Sequence, residues 1–155
     1  TITEAQMLPN YQTFSFRGSS QAVYSGPGTD YYRASNGKAA VSGGRLRVWG
    51  TQGDWALIGY GLSNNLYRIG YISKSALPGD LSVPEIYFGS QTATITKNAP
   101  VNDDPIIQPQ KIFELSAGTN VTLLAYLDDR WAYIETTYNG QPIRGFVRRS
   151  NISIP

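Results

Sequence analysis

The chain has 155 residues, with 13 Lys and Arg against 11 Asp and Glu, and it carries 16 Gly, 9 Pro, 11 Tyr and 3 Trp. It contains no His and no Cys, which removes the usual metal ligands, a Cys nucleophile, a His general base and any disulfide framework together. A net charge of +2 is too small to point to nucleic acid, and no apolar run approaches the ~20 residues of a membrane span.

Residues 1–19 open polar and then alternate at Tyr11, Thr13, Phe14 and Phe16. That predicts an N-terminal extension with one short strand covering an edge of the first β module. The chain starts at Thr1 rather than Met and shows no signal peptide, so an excised fragment or a mature form is expected. From Ala22 short strands come in quick succession. AVYS runs into a long loop, where Gly26, Pro27 and Gly28 force a bend and Asn36-Gly37 marks a tight turn. RLRVWG alternates with Leu46 and Val48 on one face and Arg45 and Arg47 on the other. A hairpin turn at Thr51–Asp54 leads to DWALIGYG, read with Trp55 and Leu57 on one face, and a loop at Ser63-Asn64-Asn65 leads to LYRIGYIS. Ser75 to Leu77 reads as a single 3₁₀ turn. Residues 79–90 carry Gly79 and Pro84 and read as a stiff linker, with Val83, Ile86, Tyr87 and Phe88 expected to fill an interface between modules.

The second half repeats the skeleton of the first. Val48 lies seven residues before Trp55, Gly70 fifteen after it and Leu77 seven beyond Gly70. Leu124 lies seven before Trp131, Gly145 fourteen after it and Ile152 seven beyond Gly145. TATITK, NVTLLAYL, DRWAYIETTY and IRGFVRRS supply its strands, with a turn at Asn139-Gly140. A repeat of this size predicts two all-β units, each marginal alone because ~60 residues bury only ~60% of their unfolded surface. Residues 20–78 and 91–155 are therefore read as domains, after the extension and either side of the linker. Charge is uneven: residues 1–78 hold seven Lys and Arg against three Asp and Glu, and residues 79–155 hold six against eight.

At AVYSGPGTDYY, GDWALIGY and RIGYISKSAL the chain resembles the bacterial SH3-like domain family, with an S-G-P-G bend, a Trp opening a central strand and a G-[WY]-[VI] triplet in the next. The second copy has Trp131 and Gly145-Phe146-Val147 but puts Asn98-Ala99-Pro100 at the bend. The resemblance implies two tandem small β-barrels with short 3₁₀ turns. It further implies a non-catalytic, monomeric module, extracellular or bound to a bacterial cell wall. Peptidoglycan or a peptide or protein partner would be its ligand, with no cofactor and no metal. Ligand surfaces in that family lie between the long first loop and the neighbouring hairpin.

Tyr31, Tyr32 and Trp49, with Asp30 and Arg33 to hold a charged end, are therefore the candidate binding residues. Rings on loops can stack on a sugar face or a Pro-rich peptide, although the same rings could equally plug a tiny core. Trp55, Tyr71 and Tyr24 are read as core. Arg45 and Arg47 read as a solvated strand face that could also meet phosphates. Asp103-Asp104 and Asp128-Asp129 read as turn residues. Glycosidase chemistry needs two carboxyls facing each other across a substrate, which neither pair provides. Ser73, Lys74 and Ser75 are too divergent along a strand for a Ser-Lys hydrolase.

Overall fold

The computed structural model describes residues 11–16, 19–33, 37–61, 67–79, 81–102, 111–127 and 130–154. The turn at Ser63-Asn64-Asn65, Asn36 and both Asp pairs lie outside them. The chain is all-β. Its regular elements among the described residues are thirteen strands and two 3₁₀ turns, Lys74–Ala76 and Arg149–Asn151. No helix among these residues is long and apolar enough to cross a membrane. The chain divides into two compact units, one spanning Asn10–Tyr87 and the other built on Phe88–Pro155.

In the first unit β1 (Gln12–Phe16), β4 (Gly44–Gln52), β5 (Trp55–Gly61) and β6 (Tyr67–Ser73) form one antiparallel sheet in that order. β2 (Gln21–Ala22) and β3 (Ala40–Val41) make a separate ribbon. Alternation on β1 sends Phe14 and Phe16 into the core with Leu46, Val48, Ala56 and Ile58. β1 is thus the first strand of the sheet, paired with β4 along its whole length, and the unit begins well before residue 20. The inward face of β5 is Ala56, Ile58 and Tyr60 rather than Trp55 and Leu57. Leu57 is nevertheless fully buried, so both faces of this strand are covered.

The second unit is a seven-stranded sheet. Its strands are β7 (Gln91–Ile95), β8 (Ala99–Asn102), β9 (Lys111–Leu115), β10 (Asn120–Leu127), β11 (Trp131–Tyr138), β12 (Gln141–Arg148) and β13 (Ile152–Ser153). They lie in the order β13-β7-β10-β11-β12-β8-β9. β11 and β12 meet through Asn139 and Gly140 at φ 51° and 78°, the left-handed pair a tight two-residue hairpin turn requires. The loop after β7 is not irregular: it contains the β8–β9 hairpin, which pairs with β12 through Asn102 and Phe146.

Closed barrels are not what forms. Among the described residues β13 and β9 stand at opposite edges of the second sheet without a ladder between them. In the first unit the ribbon is two residues long on each side and meets β6 by a single bridge, Tyr24 to Tyr71. Strands this short supply too few rungs to carry hydrogen bonding round the full circle.

Ladder pairings refine the repeat. Gln52 faces Trp55 across a two-residue turn, whereas Leu127 faces Trp131 across three residues. Each hairpin then carries a bulge three positions on, Trp49 in β4 and Leu124 in β10. The counterpart of Val48 is therefore Leu123, both fully buried, and Leu124 corresponds to Trp49. Gly70 and Gly145 do correspond, facing Ile58 and Ile134. Leu77 and Ile152 correspond as well, each closing its 3₁₀ turn.

Part of the expected linker belongs to the first sheet. Thr51 N–H donates to Pro84 O at 2.9 Å and Ile86 N–H to Thr51 O at 2.7 Å, a parallel bridge beside the β4 bulge. Leu81 and Val83 pack against the same core, and Ile86 is 6% exposed. Tyr87 is 77% exposed, while Phe88 packs on Tyr133 within the second unit at 5.4 Å.

Candidate functional site

The long first loop of the first unit is fixed at its root by backbone, not by side chains. Tyr24 and Tyr71 exchange two N–H···O bonds of 3.0 and 2.8 Å, so the loop's first arm runs antiparallel to β6. This approach is possible because Gly70 has no side chain: a Cβ there would lie 2.6 Å from Val23 Cγ1 and 2.9 Å from Tyr24 O. Val23 N–H donates to Ala39 O, and Ser25 N–H donates to Tyr32 O at 2.9 Å, tying the returning arm to the first.

On that arm Tyr24 meets Trp55 edge to face, with ring centres 5.6 Å apart at 86°. Both residues are half-buried. Arg33 sets its guanidinium 5.6 Å from the Tyr24 ring centre and donates from Nε to Ala39 O at 2.8 Å. The arginine therefore braces the arm as well as presenting charge. Tyr71, fully buried, donates its hydroxyl to Gln52 Oε1 at 3.0 Å and anchors the floor.

Of the residues expected to bind, the structure brings Tyr31, Tyr32, Asp30 and Arg33 onto one loop. Asp30 is exposed, and Tyr31, Tyr32 and Arg33 are half-buried. Tyr31 lies flat on the bend, its ring occupying the place a Cβ on Gly26 would take. Ser25 Oγ beneath is buried with no hydrogen-bond partner. Trp49 does not join them. It is the bulged residue of β4, 2% exposed, packed edge-on to Tyr11 at 6.0 Å, so its ring is closed to a ligand. Trp55 and Tyr24, expected in the core, take its place. Its burial comes from Tyr11, which β1 brings alongside β4, and from the bulge, which no sequence spacing marks.

The equivalent place in the second unit is closed. Trp131 is 3% exposed and lies under Arg148, whose guanidinium is 4.3 Å from its ring centre, where Ser73 faces Trp55 in the first unit. Asn102, 7% exposed, stands where Tyr24 stands. Arg149 stacks at 3.8 Å on Tyr126, and Arg144 pairs with Glu135 at 2.8 Å. Among the described residues no group of three or more Asp and Glu side chains gathers to hold a metal ion. Ser73 and Ser75 hydroxyls bond each other at 2.8 Å, and Lys74 between them is exposed.

No family model and no curated protein matches the chain. Among solved structures it is similar to NlpC1 from Trichomonas vaginalis, at 13% identity and a TM-score of 0.38, over 99% of this chain and 49% of that one. It is also similar to NlpC2 from the same organism, at 15% identity and a TM-score of 0.37, over 94% and 49%. The chain thus spans about half the length of each. Likenesses this distant carry no activity across.

Proposed function

We propose that this chain is a non-catalytic, SH3-like binding module that targets a bacterial cell wall from outside the cell, using the first unit to grip peptidoglycan glycan or stem peptide. The half-exposed Tyr24–Trp55 ring pair carries the reading. Its two faces are held at a right angle on a backbone-bonded arm, so a ligand meets a surface already ordered. Arg33 beside it and the exposed Asp30 on the same loop offer one charge of each sign, which suits a peptide bearing a free amine and carboxylates. The missing His and Cys support the absence of catalysis, and the shared Gly70 and Gly145 geometry supports the SH3-like reading.

A pull-down with purified sacculi tests it. Wild-type protein sediments with the wall at low salt, and Tyr24→Ala or Trp55→Ala releases most of it, with affinity down about tenfold or more as for a central aromatic anchor. Wild-type protein remaining in solution, or either variant binding as well as wild type, sinks the reading. Tyr31→Ala with Tyr32→Ala loses a smaller share, because Tyr31 already covers Gly26.

A further inference from the structure

The second unit carries a cleft on the sheet face opposite its core. Ladder pairing runs one row of side chains across four strands there: Thr92, Thr122, Glu135 and Arg144. The first three of that row, with Asn120, Val121, Thr136, Thr137 and Pro142, line a hollow of about 310 Å³, and Arg144 stands beside it. This volume is at the small end of the ~300–1,000 Å³ typical of ligand sites.

Two of its polar groups, Glu135 and Asn120, are set in place by neighbours. Arg144 Nε donates to Glu135 Oε1 at 2.8 Å from a side chain only 9% exposed. The guanidinium lies 5.7 Å from the Phe88 ring centre, which holds it from behind. Thr94 Oγ1 donates to Asn120 Oδ1 at 3.0 Å, so the exposed Asn120 amide offers its N–H groups outward. Four threonines line it as well, beside the apolar Val121 and Pro142, and each hydroxyl can both donate and accept.

Charge separates this face from its counterpart. In the first unit the same row reads Thr13, Arg47 and Gly59, with Arg45 where Asn120 stands, and β1, β4, β5 and β6 contain no Asp or Glu. Here the one carboxylate is held by the one arginine, so neither an anion nor a cation is selected.

We propose that this cleft binds a neutral glycan. Neighbouring strands lie about 4.8 Å apart, so Thr92 and Thr122, paired across β7 and β10, present adjacent hydroxyls to a pyranose. A carboxylate acceptor and an amide donor orient them, and Pro142 offers apolar contact to the sugar's C–H face. The site stands on the second unit alone and does not depend on the Tyr24–Trp55 pair.

The test is an NMR titration of the full chain with a soluble β-linked N-acetylglucosamine trimer. Amides of Thr92, Thr122 and Glu135 shift saturably. Thr122→Val with Thr137→Val, near-isosteric and favourable to strands, weakens binding about tenfold, as the loss of two hydrogen bonds predicts. Asn120→Asp, which replaces the donor by an acceptor, weakens it similarly, and Tyr24→Ala leaves it unchanged. Absence of shifts at these amides, undiminished affinity in either folded cleft variant, or loss of the shifts in Tyr24→Ala overturns the proposal.

Discussion

A methyl group on Gly145 would meet Val101 Cγ1 at 2.6 Å and Asn102 O at 3.0 Å, the same collision that a Cβ on Gly70 would make with Val23 and Tyr24. Both glycines exist so that a loop arm can lie on a strand. Gly70→Ala is expected to cost about 1–3 kcal/mol by overpacking, read as a lower urea midpoint, and to weaken wall binding by displacing Tyr24. Gly61→Ala at the open end of β5, where a Cβ meets nothing within 4 Å, should stay within about 0.5 kcal/mol. An effect of equal size at both sites would refute the argument. Tyr87 gives a pH handle at the same scale. Its hydroxyl donates to Glu85 Oε2 at 3.1 Å, and this bond first, then the carboxylate's charge, holds the phenol above its usual value of 10.0. Because the folded value is raised, the bond's contribution is present below the unfolded tyrosine pKa and disappears as pH rises through the folded one. In an ultraviolet titration Glu85→Gln should bring one tyrosine down toward its ordinary value; an unchanged curve would exclude the contact in solution.

At the level of elements, the bulge in β4 explains two departures from simple alternation. It adds Trp49, which is buried against Tyr11, and it leaves Gly50 beside Pro84 O and Ile86, where a Cβ would stand 2.5 and 2.6 Å away. Residues 84–86 close on β4 for that reason. Ile86→Ala should lose about 2–4 kcal/mol through the emptied contact and should raise amide exchange at Ile86 and Thr51. Retained protection there would show that the bridge does not need the side chain. β1 is equally part of the sheet. A chain starting at residue 20 lacks Phe14 and Phe16 and bares the edge of β4, so its first unit should lose cooperative unfolding. A sharp two-transition melt from that truncation would restore residues 1–19 to the status of an extension.

Across the whole molecule, the strands and core cluster described for the second unit lie within residues 88–155, so that fragment is expected to fold alone and melt cooperatively in calorimetry. A featureless trace would show that it is incomplete. The all-β class, the Asn139-Gly140 turn and, one residue out of place, the 3₁₀ turn after β6 were legible in the sequence, because each is set by residues close along the chain, whereas the 3₁₀ turn at Arg149–Asn151 was not read. Gly70 and Gly145 were legible as a repeat, but not their reason, which is a steric contact with residues more than forty positions away. Val48 and Leu124 matched in spacing and not in place: the second hairpin is one residue longer, and counting along the chain does not register a lengthened turn. The candidate site was legible as a loop, with Tyr31, Tyr32, Asp30 and Arg33 on it. That Trp55 and Tyr24 rather than Trp49 form its ring pair depended on one extra residue in β4. Chain-local chemistry thus determined strands, turns and the candidate loop. Which rings face solvent, where the first unit begins and what closes its sheet were decided by pairing register, which only distant strands brought together can set.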